Sequence, residues 1–314
     1  MGGGGTLRCR GMNAAADPPS AADEAVAEGS GHGETEATAP AAPAPAERPF
    51  AWRRALITGA SSGIGRAMAR RLGRSGVHLV VVARDRGRLE ALAAELMFPK
   101  VGGERAGVDV EVVVADLADP TQLATVERRL GDRARPIDLA VNNAGFGTYG
   151  DFASLDLDGE TREIAVNVTA LVRLTHAALG GMLGRGHGAV LNISSVAGLQ
   201  ATPGNATYGA TKAFVASFGE AVYGELAGTG VTLTTVLPGF TRTEFQARAG
   251  IAGRQLPGAA WQSAEEVASL ALDAAAAGKP WFVPGTLNKV AVAASTPLPR
   301  GLRRRVAARA ARRL

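Results

Sequence analysis

The chain has 314 residues, of which 46% are hydrophobic and 20% charged, a composition typical of a soluble globular protein. Its single cysteine, Cys9, excludes an internal disulfide bond, and its four scattered histidines lack the spacing of a metal site. Residues 300–314 hold seven arginines and no acid, so the formal net charge of +5 describes a tail. Without these seven positive charges the rest of the chain has a slightly negative net charge, so we expect no basic face that binds nucleic acid.

Residues 1–50 are rich in glycine, alanine and proline, with few apolar side chains larger than alanine. Such a segment cannot bury enough surface to offset the entropy lost on ordering, so we predict that it is disordered. It contains no apolar run as long as a signal peptide or a membrane span. We therefore expect a cytoplasmic protein, with Met12 as an alternative start.

From Trp52 onwards, strand and helix patterns alternate. Nearly continuous runs of Val, Leu and Ile indicate strands that are covered on both faces. This alternation predicts a Rossmann-like, doubly wound α/β fold, with a seven-stranded parallel sheet and helices on both faces. The predicted strands cover residues 55–58, 78–83, 110–114, 137–142, 189–193, 231–237 and 281–283, and the predicted helices cover 64–75, 86–96, 120–131, 159–184, 208–227 and 264–277.

The first predicted strand leads into a glycine-rich turn, Thr58-Gly-Ala-Ser-Ser-Gly-Ile-Gly65, and then into helical spacing. A strand, glycine turn and helix in this order place a pyrophosphate on the helix N-terminus, where unpaired N–H groups face the anion. The spacing differs from Gly-x-Gly-x-x-Gly, and an ordinary βα turn is the alternative interpretation. The cofactor contacts predicted in this turn are Gly59, Ser61, Ser62, Gly63, Ile64 and Gly65.

The fifth predicted helix begins with Tyr208 and carries Lys212 four residues later, on the same helix face. A nearby cation stabilises a phenolate and lowers the tyrosine pKa, which makes the phenol an acid/base near neutral pH. Ser195 lies thirteen residues upstream at a strand end, with Ser194 as its competitor. Asn167 lies inside the preceding helix, where a local backbone hydrogen bond is the alternative role.

Taken together, these motifs resemble the short-chain dehydrogenase/reductase family in its compact single-domain branch, over residues 51–285. The Thr-Gly-x-x-x-Gly-x-Gly turn matches residues 58–65, and Asn-Asn-Ala-Gly matches residues 142–145. The resemblance implies that Asn167, Ser195, Tyr208 and Lys212 are catalytic. It implies further cofactor contacts from Asp116, Leu117, Asn143, Ala144, Gly145, Tyr208, Lys212, Pro238, Gly239, Thr241 and Thr243.

The reaction implied by the resemblance is hydride transfer between a nicotinamide and a carbonyl/alcohol pair. Tyr208 would give a proton to the carbonyl oxygen, which Ser195 holds by a hydrogen bond. Lys212 would lower the tyrosine pKa and bind the ribose hydroxyls, and Asn167 would fix a water. The alternatives are a catalytically idle dinucleotide-binding regulator of the same fold, and the epimerase or dehydratase chemistry of the family's longer branch.

The residues at the end of the second predicted strand indicate which nicotinamide cofactor is preferred. Members of the family that prefer NAD usually place an acid at the position of Ala83, and here Arg84 follows. An arginine at this point can pair with a 2′-phosphate, so NADP(H) is predicted over NAD(H). Asp85 is then interpreted as the N-cap of the next helix, and Arg66 is a weaker second candidate for the phosphate.

Residues 238–261 are predicted to form a substrate loop without a charged anchor, so we expect a small apolar ketone, aldehyde or alcohol. The family resemblance implies a homo-oligomer. Residues 286–314 are predicted to be a basic C-terminal extension, solvated rather than bound to a membrane surface, because its apolar and basic residues segregate poorly. The apolar side chains expected near the cleft, unless they are only packing residues, are Phe146, Tyr149, Leu199, Pro203, Phe240, Phe245, Ile251, Leu256 and Trp261.

Overall fold

The structure is a computed structural model that describes residues 49–97, 108–249, 258 and 261–295. All of them belong to one compact unit. The predicted disorder of residues 1–50 lies outside the described residues except at its end, where Phe50 is buried in the core and stacks on Trp52, contrary to that prediction. The predicted behaviour of the tail beyond residue 295 also lies outside the described residues.

Seven parallel strands form the central sheet, and two short strands form a separate pair. In chain order the strands are β1 (Arg54–Thr58), β2 (His78–Ala83), β3 (Val110–Val114), β4 (Leu139–Asn142), β5 (Gly188–Ile193), β6 (Val231–Val236), β7 (Thr241–Arg242), β8 (Gln262–Ser263) and β9 (Trp281–Phe282). The large sheet has the order β3-β2-β1-β4-β5-β6-β9, and β7 pairs with β8. The direction of winding reverses between β1 and β4, which is where ligands bind in this fold.

Helices cover both faces of the sheet. They are α1 (Gly63–Arg74), α2 (Arg86–Met97), α3 (Pro120–Leu130), α4 (Leu157–Ile164), α5 (Leu171–Arg185), α6 (Ala206–Glu225), α7 (Phe245–Arg248), α8 (Ala264–Ala276) and α9 (Thr286–Ser295). One core contains side chains of α1, α2 and α8, and the other contains side chains of α3, α5 and α6. The predicted doubly wound fold is thereby confirmed.

Strand β2 shows why its sequence is a continuous apolar run. Leu79 and Val81 point into the first core, whereas Val80 and Val82 point into the second. Successive side chains of a strand face opposite sides of the sheet, so a strand with a core on each side has no polar positions.

Two differences from the predicted bounds are structurally informative. Strand β4 begins at Leu139 rather than at residue 137. Just before it, the Asp138 carboxylate accepts hydrogen bonds from the amides of Arg53 (2.8 Å) and Arg54 (3.2 Å). The helix predicted over residues 159–184 is interrupted by a π-helical segment, Ala165–Ala170, between α4 and α5. Such a segment leaves no trace in hydrophobic periodicity, and it often marks a functional site.

Among the described residues, one helical stretch, Leu157–Arg185, has the length and apolar composition of a membrane span. It joins α4, the π-helical segment and α5. In this structure α5 contacts α3, β4 and β5 as part of the helical layer. The stretch also supplies Asn167 to the site described below.

Candidate active site

The hydroxyl group of Thr58 ties the end of β1 to the end of β4. It donates to the carbonyl oxygen of Val141 (3.1 Å) and accepts from the amides of Asn143 and Ala144, each at 3.0 Å. The side-chain amide of Asn143 donates back to the Thr58 carbonyl oxygen (2.9 Å). The glycine turn and the loop after β4 are therefore one hydrogen-bonded unit at the switch point of the sheet.

The glycine turn has no space for side chains. Gly59 and Gly63 have φ angles of +68° and +53°, which other residues rarely adopt. A Cβ atom on Gly65 would lie 2.5 Å from the Gly59 carbonyl oxygen and would collide with Asn143. Ser62 makes no side-chain capping hydrogen bond, and the first turn of α1 has no acid. The turn therefore fits a pyrophosphate, whose charge the helix amides would bind.

The end of β2 presents Arg84 to solvent, and no hydrogen bond or ion pair joins its side chain to another described residue. Asp85 accepts a hydrogen bond from the amide of Arg88 (3.0 Å), as expected for the N-cap of α2. The Arg88 guanidinium is bound to Glu244 at 2.7 Å. Of these two arginines, Arg84 is the one whose charge is not already paired within the described structure.

The residues predicted to follow β3 and β6 also lie at this edge. Asp116 is paired with the Arg162 guanidinium, whereas the Leu117 side chain is buried in the second core. Gly63 lies against the side chain of Thr243, since a Cβ atom there would be 3.1 Å from the threonine methyl group. The turn after β6 is packed from outside by α9, which leaves no space for a side chain on Gly239 beside Asn288.

Ser195, Tyr208 and Lys212 meet beyond the end of β5. The side chains of Tyr208 and Ser195 lie close enough for the serine to lower the tyrosine pKa, and Lys212 Nζ lies 5.6 Å from the centre of the tyrosine ring. Lys212 Nζ is fixed by donating to the Ile193 carbonyl oxygen (3.0 Å). Ser194, the competitor for Ser195, instead donates its hydroxyl to the buried Lys212 carbonyl oxygen (2.7 Å). Its role is therefore structural.

Asn167 is buried in the π-helical segment and bonds outside its own helix. Its Oδ1 accepts from the amide of Phe146 (3.1 Å), and its Nδ2 donates to the Phe146 carbonyl oxygen (2.8 Å) and to Thr211 Oγ1 (3.1 Å). A Cβ atom on Gly145 would lie 2.9 Å from Asn167 Oδ1 and 3.3 Å from Lys212 Nζ. The loop after β4 thus passes between the asparagine and the lysine, and the alternative of a purely local backbone bond does not hold.

The protonation states of the pair differ from the sequence prediction. Burial raises the pKa of Tyr208 to about 12, although the Ser195 side chain lowers it and the charge of Glu163 raises it. Burial also lowers the pKa of Lys212 to about 8, against the charge of Glu163. The prediction of a lowered Tyr208 pKa is wrong for the chain as described, because desolvation of the hydroxyl and the charge of Glu163 outweigh the lowering by Ser195.

Aromatic side chains lie beside Tyr208. The Phe245 ring on α7 lies 5.3 Å from the Tyr208 ring, and Phe240 contacts Trp261 at 5.6 Å. Leu199 packs against a small core and is partly exposed. Ile251 and Leu256 lie outside the described residues.

Sequence reasoning missed two buried acids on α4, Glu160 and Glu163, together with their partner Thr148 in the loop after β4. One signal was present, because Glu163 precedes Asn167 by four residues and so shares its side of the helix. The position of Thr148 had no signal of its own.

A glycine turn that fits a pyrophosphate, beside a serine, a tyrosine and a lysine, indicates the class of dinucleotide-dependent oxidoreductases. A family model described as short chain dehydrogenase matches residues 53–251. The chain belongs to the short-chain dehydrogenase/reductase family and is an oxidoreductase of that family.

Individual relatives agree with this assignment. Sulfoacetaldehyde reductase 2 of Chromohalobacter salexigens is 40% identical over 192 residues, which cover 60% of this chain and 73% of the relative. A short-chain dehydrogenase from Sphingobium yanoikuyae in complex with NADPH has a TM-score of 0.70 and 40% identity, over 79% of this chain and 94% of its own. The bulky-bulky ketone specific alcohol dehydrogenase from Comamonas testosteroni has a TM-score of 0.65 and 32% identity, over 79% and 95% of the two chains.

Proposed function

We propose that the protein is an NADP(H)-dependent oxidoreductase that interconverts an apolar ketone or aldehyde and the corresponding alcohol, with Tyr208 as the acid/base. The observation that supports it most is the close approach of the Ser195 and Tyr208 side chains beside the buried Lys212. Their position at the same sheet edge as the glycine turn fits a reaction on a bound dinucleotide.

The cofactor would supply or accept the hydride, and the side chains handle the proton. In the reducing direction Tyr208 donates the proton on Oη to the carbonyl oxygen, which Ser195 Oγ orients by a hydrogen bond. A pKa raised to about 12 keeps the phenol protonated at neutral pH, so the resting site is prepared for reduction. Alcohol oxidation requires the phenolate and would therefore be favoured at higher pH.

Lys212 and Asn167 support the tyrosine. An ammonium group has three N–H donors, and the Ile193 carbonyl oxygen takes one of them. The others are available for the ribose hydroxyls, in the role that the family resemblance implies. Asn167 holds the loop after β4 beside Lys212 and, in the same family role, would fix a water that returns protons to the site.

Arg84 supports the preference for NADP(H) over NAD(H). Its guanidinium is exposed at the end of β2, beside the glycine turn after β1, and the structure pairs it with no other described residue. A free guanidinium suits bidentate binding of a 2′-phosphate. The Sphingobium yanoikuyae relative was solved in complex with NADPH.

The aromatic contact between Phe245 and Tyr208 supports an apolar substrate. The substrate carbonyl must reach Tyr208 and would then lie against this ring. The relative from Comamonas testosteroni is specific for bulky-bulky ketones, which fits the same interpretation. A panel of apolar ketones, aldehydes and secondary alcohols, followed by NADPH absorbance, would identify the substrate class.

The decisive experiment replaces Tyr208→Phe and measures both turnover and NADPH binding. We expect kcat to fall by a factor of about 10² to 10⁴, with the dissociation constant for NADPH nearly unchanged. Tyr223→Phe, in the last turn of α6, is the matched control and should keep the parent rate. Full activity of Tyr208→Phe would refute the mechanism, and the absence of any turnover in the parent protein would favour the idle regulator.

The proposed enzyme is cytoplasmic and homo-oligomeric. Ile164, Leu183 and Phe214 are exposed large apolar side chains on the helical segments around Asn167 and Tyr208. Such side chains are typical of a subunit interface. Light scattering of the parent and of Phe214→Glu tests the association, and a smaller mass for the variant is the expected result.

A further inference from the structure

Two carboxyl groups lie buried behind the proposed catalytic residues. Glu160 and Glu163 on α4 are 4% and 0% exposed. Both contact the same hydroxyl group, since Thr148 Oγ1 is hydrogen-bonded to Glu160 Oε1 and to Glu163 Oε2, the latter at 3.1 Å. The Thr148 amide also donates to Glu163 Oε2 (2.9 Å).

The hydrogen atoms available for donation at Thr148 Oγ1 are too few for two ionised carboxylates. A threonine hydroxyl has one hydrogen to donate, and an ionised carboxylate has none. Thr148 Oγ1 can therefore satisfy two carboxyl groups only if one of them carries a proton and donates it. Glu163 Oε1 is buried without a hydrogen-bond partner among the described residues, so a full charge there would be poorly compensated.

Electrostatics agrees with this count of hydrogens. Burial raises the pKa of Glu163 to about 7; the hydrogen bonds from Thr148 lower it, the neighbouring Glu160 raises it and Lys212 lowers it. Glu160 lies on the same helix as Glu163. The titratable groups that act on this site from the other described elements are Lys212 and Tyr208, both on α6.

The acids connect the two segments on either side of Tyr208. Glu160 Oε2 accepts a hydrogen bond from Thr207 Oγ1, immediately before the tyrosine. Thr148 follows Gly147, where a Cβ atom would lie 2.8 Å from the Tyr208 ring. The loop after β4 and the first turn of α6 are thus joined through one pair of carboxyl groups.

We propose that Glu160 and Glu163 share a single proton, and that they form a positioning pair which holds Tyr208 in place and sets the pH range of its proton transfer. At pH values below the ionisation of the pair, the net charge of the two carboxyl groups is −1, and all their contacts to Thr148 and Thr207 are satisfied. At higher pH, the shared proton leaves to solvent and a second negative charge appears behind Tyr208. That charge makes Tyr208 hold its own proton more tightly, so carbonyl reduction continues to higher pH. The pH argument rests on the proposed role of Tyr208.

The shared proton is tested without turnover by infrared spectra of the full-length protein between pH 5 and 9. We expect a band from a buried, protonated carboxyl group that disappears near neutral pH in the parent and is absent in Glu163→Gln. In Glu160→Gln the band should disappear at lower pH, because the charge that raises the Glu163 pKa is gone. Glu220→Gln, which removes an exposed carboxylate from α6, should leave the parent titration unchanged. Identical spectra for the parent and Glu163→Gln would overturn the proposal, whatever the enzyme does.

The positioning role is tested by pH profiles of kcat/KM for reduction. In Glu163→Gln the alkaline limit should move about one pH unit lower, because the charge that raises the Tyr208 pKa is gone. Glu220→Gln should keep the parent profile. If Glu163→Gln folds and its alkaline limit of kcat/KM is the same as in the parent, the positioning role is overturned. If Glu163→Gln does not fold, the test is the infrared carboxyl band of Glu160→Gln. A band that titrates there as in the parent would overturn the shared proton. Failure of the proposed function would be distinguishable, because only then would Tyr208→Phe stay active.

Discussion

Asn167 Nδ2 donates a hydrogen bond of 3.1 Å to Thr211 Oγ1, whose own proton goes to the Tyr208 carbonyl oxygen at 2.8 Å. The π-helical segment is therefore coupled to the backbone of Tyr208 through one threonine. The same asparagine satisfies both the amide and the carbonyl group of Phe146. It serves as a structural connection as well as a proposed part of the proton path.

Asn167→Ala should therefore lower both stability and activity. It leaves the Phe146 backbone groups without their buried partner, and we expect the free energy of unfolding to fall by about 2–4 kcal/mol. Thr211→Val should cost about 1–2 kcal/mol, because fewer buried groups lose a partner. Urea unfolding measures the free energy of unfolding of both variants. The control is Thr125→Val, at an exposed position, and its free energy of unfolding should lie within about 0.5 kcal/mol of the parent value. Equal stability of Asn167→Ala and that control would contradict the assigned connection.

Gly65→Ala should weaken dinucleotide binding at least about tenfold, since the added Cβ atom meets the Gly59 carbonyl oxygen at 2.5 Å and displaces the turn. Gly180→Ala is the matched control in the interior of α5, where an added Cβ atom has no neighbour within 4 Å. This control should gain about 0.4–1 kcal/mol of stability and bind normally. NADPH fluorescence titrations and thermal unfolding measure the contrast. Normal binding by Gly65→Ala would show that the turn does not bind the pyrophosphate.

Arg84→Ala should raise the dissociation constant for NADPH by about tenfold to a hundredfold, the value of a charged hydrogen-bonded contact. Binding of NADH should change little, because it lacks the 2′-phosphate. Arg86→Ala removes an equally exposed charge that is paired with Glu90 at 3.4 Å, and is the control. If both arginine variants lose the same affinity for both cofactors, Arg84 contributes only a general positive charge.

Lys212→Met should abolish activity yet stabilise the protein near neutral pH. Burial lowers the pKa of Lys212 to about 8 in the folded state, below the ordinary value of 10.5. Between these two pH values the unfolded chain binds more protons, so the stability of the parent rises with pH across this window. The advantage of Lys212→Met, up to about 3 kcal/mol below pH 8, should fade by pH 10.5.

Denaturant unfolding of both proteins between pH 7 and 10.5 measures this difference. Lys279→Met removes an exposed lysine and should show no such dependence on pH. A constant difference between the parent and Lys212→Met across the window would mean that Lys212 is not desolvated in the folded protein.

The fold was predictable because its signals are local. Continuous apolar runs such as the one in β2 indicate a strand that is buried on both faces. Because the strands are parallel, their carboxyl ends then lie at one edge of the sheet. The predicted bounds of the sheet strands agree with the structure to within two residues. The family assignment followed from several motifs in order, and it is confirmed.

The missed features depend on contacts between distant segments. The contact of Glu160 with Thr207 spans 47 residues, and that with Thr148 spans 12. The sign of the Tyr208 pKa shift depends on how much water the folded chain removes from the hydroxyl, which the spacing of Tyr208 and Lys212 does not encode. The assignments of individual cofactor contacts and catalytic roles remain predictions.

The isolation of Arg84 has a practical consequence for protein engineering. Hydrogen bonds join Thr58 to Asn143, and Asn167 to the tyrosine helix, whereas the arginine at the end of β2 is joined to no described residue. Residue 84 could therefore be exchanged, with the aim of using a cheaper nicotinamide cofactor, without removing any of these hydrogen bonds. A library confined to this position would vary the proposed phosphate contact and keep the N-cap of α2 at Asp85 intact.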